Sequence, residues 1–133
     1  SLFIAGHGPG NSENSRKAIE AQVHRIAAWG IYRDVHAIFM EEDPRIGEVY
    51  RLAQTANVVV VPFFISDGLH SYEDIPVMLG ASAEEVQRRL LSREPTWLNP
   101  TCLQGKRVWY SRSIGDEPGL AEVILERVAE ATA

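Results

Sequence analysis

The stretch "NVVVVPFF", residues 57–64, decides the fold. Its apolar residues run almost unbroken instead of alternating, which is how a strand buried on both faces of a parallel sheet reads. Pro62 lacks the N–H that a ladder hydrogen bond requires, so regular pairing should weaken there as the chain leaves the sheet.

Working outward, the same strand-then-helix rhythm recurs on both sides. Leu2–Gly6 reads as a strand, and residues 12–28 place Ile19, Val23, Ile26 and Ala27 at helical spacing. Residues 34–40 are β-rich through Val35, Ile38 and Phe39. They lead through "EEDP" to a helix carrying Ile46, Val49, Tyr50 and Ala53, with Pro44 suited to its first turn. Downstream, Asp74 and Pro76 read as the cap and first turn of a short helix through residues 77–79, and Ser82 with Glu85 form a capping-box pattern. "REPTWLNPTCLQG" reads as a loop, residues 106–112 as a fourth strand, and residues 117–131 as a last helix with Leu120, Val123, Ile124 and Val128 on one face.

Strands separated by helix-length connections cannot pair as hairpins, so the expectation is an α/β fold. Specifically, it is a flavodoxin-like open four-stranded parallel sheet with helices on both faces, a single domain over residues 1–133. A start on an apolar strand with almost no lead-in also fits one half or one domain of a larger protein.

Composition narrows the partners. The 133 residues carry a net charge of −5 and a pI near 5.3, which argues against nucleic acid, since phosphate binding relies on clustered Lys and Arg. No apolar run approaches the ~20 residues of a membrane span, and no signal-type segment is present, so a soluble cytoplasmic protein is expected. The single Cys102 has no Cys or His at metal-ligand spacing and reads as an incidental thiol.

Two histidines stand out by position. "GHGPGN", residues 6–11, and "SDGLHSYEDIP", residues 66–76, each place a histidine beside glycine just past a strand's carboxyl end. In open α/β sheets that rim binds ligands. Two imidazoles with a carboxylate make a partial shell for a divalent transition metal, with positions left open for exchange. The candidate ligands are therefore His7, His70 and Glu41, the acidic residue nearest the second strand's end. Gly8 and Gly68 supply bare walls against which a flat ligand can lie. His24 and His36 read as packing or surface residues, and "GHGPGN" also permits a phosphate cradle, although the full dinucleotide spacing and a P-loop lysine are missing.

"IAGHG" at the first strand, "VVVVPFFISDGLHSYEDIP" in the middle and "IG" before the last helix together resemble the sirohydrochlorin chelatases of the short, CbiX-like kind. The resemblance spans most of the chain, and the G-x-H-x3-D-[IL]-P stretch is its specific part. It implies a lyase that inserts Co²⁺ or Fe²⁺ into sirohydrochlorin or a related tetrapyrrole in cobalamin or siroheme biosynthesis. The metal is a substrate, and no permanently bound cofactor is implied. The resemblance assigns metal binding and proton removal to His7 and His70, with Glu41 as the acidic ligand. It also implies a homodimer or a fused second half. The macrocycle is expected over the loops at 7–11 and 65–72, against Gly8, Asn11, Phe64, Ile65, Ser66, Gly68 and Leu69. Pro9 stands where family members commonly have Ser, which removes a hydroxyl and a backbone donor. The competing reading is a non-catalytic metal- or tetrapyrrole-binding domain of a multidomain protein.

Overall fold

A computed structural model describes residues 1–8, 13–115 and 117–133. Strands β1 (Leu2–Gly6), β2 (Val35–Phe39), β3 (Asn57–Pro62), β4 (Thr101–Leu103) and β5 (Lys106–Tyr110) form one five-stranded sheet in the order β2-β1-β3-β5-β4. The first four in that order are parallel, with Leu2 opposite both Val35 and Val59, and Asn57 opposite Arg107. The expected parallel sheet is present, and it carries one strand more than the four expected. Within the stretch read as a loop, Thr101–Leu103 folds back antiparallel onto β5 through a tight turn at Gln104 and Gly105, both at positive φ. A three-residue edge strand leaves too little periodicity to be read from sequence.

The "NVVVVP" strand is sealed on one face only. Val58, Val60 and Pro62 are buried, while Val59 and Val61 are half-buried on the other side. Pairing ends as Pro62 predicts: Ala5 is its register partner, and the next bond runs from the Phe63 N–H to the Ala5 carbonyl at 2.7 Å. The sealed face packs Phe3, Ile38, Val58, Val60 and Val108 against Ile46, Val49, Ile75, Leu79 and Trp97. These come from a 3-10 turn (Ile46–Glu48) running into α2 (Val49–Leu52), from α3 (Ile75–Met78), and from the segment before β4. Helix α4 (Ala83–Leu91) adds Val86, and Ser82 caps it by accepting the Glu85 N–H. Glu85 does not complete the box, because its carboxylate binds Arg88 and Arg89 instead.

On the opposite face, α1 (Glu13–Ala28) lays Ile19 against Ile4 and Phe39, with Val23 and Ile26 at the margin. Helix α5 (Gly119–Thr132) departs from expectation. None of its residues is buried, and Val123, Ile124 and Val128 of the expected apolar stripe stay 41%, 64% and 53% exposed. Val59 and Val61 therefore lack the full cover that the apolar run implied.

The order of the parallel strands reverses direction between β1 and β3, since the chain runs from β1 outward to β2 and then back across to β3. Loops leaving the carboxyl ends of such neighbours diverge to opposite faces and open a crevice between them. His7 follows β1 and His70 follows β3.

Candidate metal centre

His7 sits one residue beyond β1, where the ladder with β2 continues past the strands: the Met40 N–H donates to the Gly6 carbonyl and the Glu41 N–H to the His7 carbonyl, each at 3.0 Å. This pairing brings Glu41 beside His7, with Glu41 Oε2 3.6 Å from His7 Nδ1. Gly8 is at φ +115°, a conformation side chains rarely adopt, and a Cβ there would lie 3.4 Å from Glu41 Cβ. Glycine thus takes this conformation while its backbone stays close to the acidic residue.

His70 opens a single π-helical turn, His70–Asp74, that runs into α3. Its Nδ1 lies 2.7 Å from Asp74 Oδ2. The carboxylate only accepts, so Nδ1 carries the proton, and in the neutral ring Nε2 keeps its lone pair. Asp74 is consequently not the helix cap expected from sequence: it is helical itself, makes no side-chain cap bond, and spends its carboxylate on His70. Tyr110 anchors the turn from below, its hydroxyl donating to the buried Ser71 carbonyl at 2.8 Å. Burial, with the nearby Asp67 charge, raises the Tyr110 phenol well above its ordinary value, so it remains a donor.

The two imidazoles meet. Their centroids are 5.1 Å apart at an interplanar angle of 60°, and Phe64 tilts toward His70 at 6.1 Å. Both rings are about half exposed, so neither is a core histidine. Phe64, Ile65, Ser66, Gly68, Leu69 and His70 line an open cleft of about 490 Å³, in which Ile65 and Leu69 are 76% and 68% exposed. A Cβ on Gly68 would meet nothing within 4 Å, so its role is a bare wall and not a crowded turn. Asn11 and Pro9 lie outside the described residues. Among the described residues no three His, Cys, Asp or Glu side chains converge as a preformed metal cage. The other histidines take the packing and surface roles expected: His36 stacks on Phe3 and binds Asp34, and His24 is exposed.

From sequence Asp74 reads only as a cap, although the His-x3-Asp spacing also puts the two side chains on one helical face. Tyr110 has no local signal, because its contact with Ser71 spans 39 residues.

The CbiX family model matches residues 1–131. The chain belongs to the CbiX family. Within reach of it are a probable sirohydrochlorin cobaltochelatase of Halobacterium salinarum, 39% identical over 99% of this chain, and a sirohydrochlorin cobaltochelatase of Methanopyrus kandleri, 29% identical over 98% of it. The chain spans 42% of the first relative's length and 95% of the second's. Among solved structures it resembles a multi-domain protein of Deinococcus radiodurans with structural similarity to chelatases, at a TM-score of 0.79 and 24% identity over 97% of this chain and 28% of that one. It also resembles the cobalt-bound sirohydrochlorin chelatase of Bacillus subtilis, at 0.69 and 19% identity over 97% of this chain and 49% of that one. At those identities the likeness concerns the CbiX fold.

Proposed function

We propose that this CbiX chain inserts a divalent metal, Co²⁺ or Fe²⁺, into sirohydrochlorin or a close tetrapyrrole relative. The observation that carries the reading is the pairing of His7 and His70 at 5.1 Å over an open apolar cleft, each backed by its own carboxylate. The naming of both curated relatives as cobaltochelatases supports it and puts cobalt first.

Insertion exchanges one aquated M²⁺ for two pyrrole N–H protons, giving the metallated ring and two H⁺. A nitrogen cannot hold metal and proton together, so the imidazoles share the work: they capture the ion first and accept protons as it passes to the ring. An incomplete shell suits an ion that must leave. His70, with Asp74 behind Nδ1, offers Nε2 as donor, and Glu41 beside His7 supplies negative charge for the cation and the departing protons. Phe64, Ile65 and Leu69 give the flat ring an apolar bed, with the Gly8 and Gly68 backbones leaving room at its edge.

We place the protein in the cytoplasm, acting as a homodimer or with a second chelatase-like half. The cleft is open on one side, and a macrocycle is larger than one such half can enclose. No helix among the described residues is long and apolar enough to cross a membrane. The deciding experiment follows sirohydrochlorin absorbance with purified protein and Co²⁺, Fe²⁺ or Ni²⁺ against the uncatalysed rate. Acceleration with at least one metal is expected. Tight binding of metal or tetrapyrrole without turnover would select a non-catalytic binding domain.

A further inference from the structure

Arg16, in the first turn of α1, reaches across to the loop that follows β2. Its Nε donates to Glu20 Oε1 at 2.6 Å, and its Nη1 lies 3.1 Å from Glu42 Oε2 and donates to the Asp43 carbonyl at 2.9 Å. The guanidinium also lies over the Phe39 ring, 4.8 Å from its centroid. From the other end, Arg45 Nη1 donates to the Met40 carbonyl at 3.3 Å. The loop is thus held at residues 39, 40, 42 and 43. Between them Glu41 turns its carboxylate to His7.

Three acidic side chains in a row, Glu41 to Asp43, repel one another and compete for any cation that approaches. The Arg16 guanidinium removes Glu42 from that competition, and its planar fork fixes a direction that a lysine's point charge would not. We infer that Arg16 is a positioning residue for metal capture: by holding Glu42 and the Asp43 carbonyl it makes Glu41, and not its neighbours, the carboxylate that faces His7 and the incoming ion. This rests on the reading of His7 and Glu41 as metal-handling groups.

Magnitudes separate this role from a merely structural one. The Arg16, Glu20 and Glu42 side chains are 36%, 43% and 21% exposed, and ion pairs that accessible to solvent add little to stability. Loss of a group that orients a metal ligand, by contrast, costs about 10–100-fold in metal affinity or activity.

The test compares wild-type, Arg16→Ala, Arg16→Lys, Glu42→Gln and Glu41→Ala proteins. Three readouts are melting temperature, Co²⁺ affinity from the visible absorption of the ligated ion, and the metal dependence of sirohydrochlorin metallation. Arg16→Ala should weaken Co²⁺ binding and raise the Co²⁺ KM about 10-fold, with kcat within about twofold. Arg16→Lys should recover only part of this loss. Glu42→Gln, which still accepts from Arg16, should stay near wild type. In the Glu41→Ala background, Arg16→Ala should have no further effect on Co²⁺ affinity, because the two act through one group. Unchanged Co²⁺ affinity in Arg16→Ala, or an equal loss with and without Glu41, would overturn the inference. A wild-type protein that binds Co²⁺ but does not metallate sirohydrochlorin would overturn the proposed activity, while the binding series would still decide the role of Arg16.

Discussion

A Cβ placed on Gly115 would fall 1.3 Å from the carbonyl oxygen of Ile65 and 1.9 Å from its carbonyl carbon. The segment between β5 and α5 is therefore pressed onto the backbone of the loop that carries His70, at a separation only glycine allows. Both obstructing atoms are main chain and cannot rotate away. Gly115→Ala should accordingly push the loop outward and cost about 1–3 kcal/mol, as overpacking does. Because Phe64, Ile65 and Leu69 move with that loop, tetrapyrrole affinity should fall as well. Thermal melting combined with a sirohydrochlorin absorbance titration checks both, and a variant with native melting and native affinity would contradict the close contact.

His7→Ala and His70→Ala should each lower metal insertion by about 100-fold or more, the scale of losing a positioned proton acceptor or donor ligand. Both rings are about half exposed, so neither change removes core packing. Circular dichroism melts should match wild type within a few degrees while the metallation rate collapses. Full activity in either variant would remove that histidine from the site.

Asp74→Ala should leave His70 in place but free its ring to rotate and exchange tautomers, lowering Co²⁺ affinity about 10–100-fold. Asp74→Asn keeps an acceptor oxygen without the charge and should fall between. A two-dimensional NMR spectrum that reads the His70 tautomer separates the cases: loss of the Nδ1-protonated form is expected in the alanine variant.

Asp34, almost fully buried at the foot of β2, is subject to opposing influences. Burial disfavours its charge, but hydrogen bonds from the Ser1 hydroxyl, His36 and the Gln54 N–H prevail and hold the carboxyl below its ordinary value. A carboxyl depressed in the folded state gives stability that is present above the ordinary aspartate value near ~3.9 and lost as pH falls through the lower folded value. Denaturant melts between pH 7 and pH 2 should show this acid-side loss. In Asp34→Asn the part of it due to this group should vanish, and stability at pH 7 should drop by about 1–3 kcal/mol through the loss of charged hydrogen bonds.

Much of the architecture was legible locally. The strand through residues 57–62, the stripe on α1 and the cap at Ser82 are written in apolar spacing and short-range side-chain chemistry, which do not depend on what packs where. Elements whose character is set from outside were not. The strand at Thr101–Leu103 exists because β5 lies beside it, and Asp74 resembles a cap until His70 is placed within 2.7 Å of it.

By itself, then, the sequence determined that strands and helices alternate and that each of two histidines lies in the connection that follows a strand, because hydrophobic periodicity and glycine turns act over a few residues. Only the tertiary structure decided that those strands are neighbours at the reversal of the sheet order, which brings the rings of His7 and His70 to 5.1 Å. It alone also decided that the stripe of α5 stays uncovered. Both outcomes follow from how crossover connections pack distant segments together, and no local pattern of residues records that.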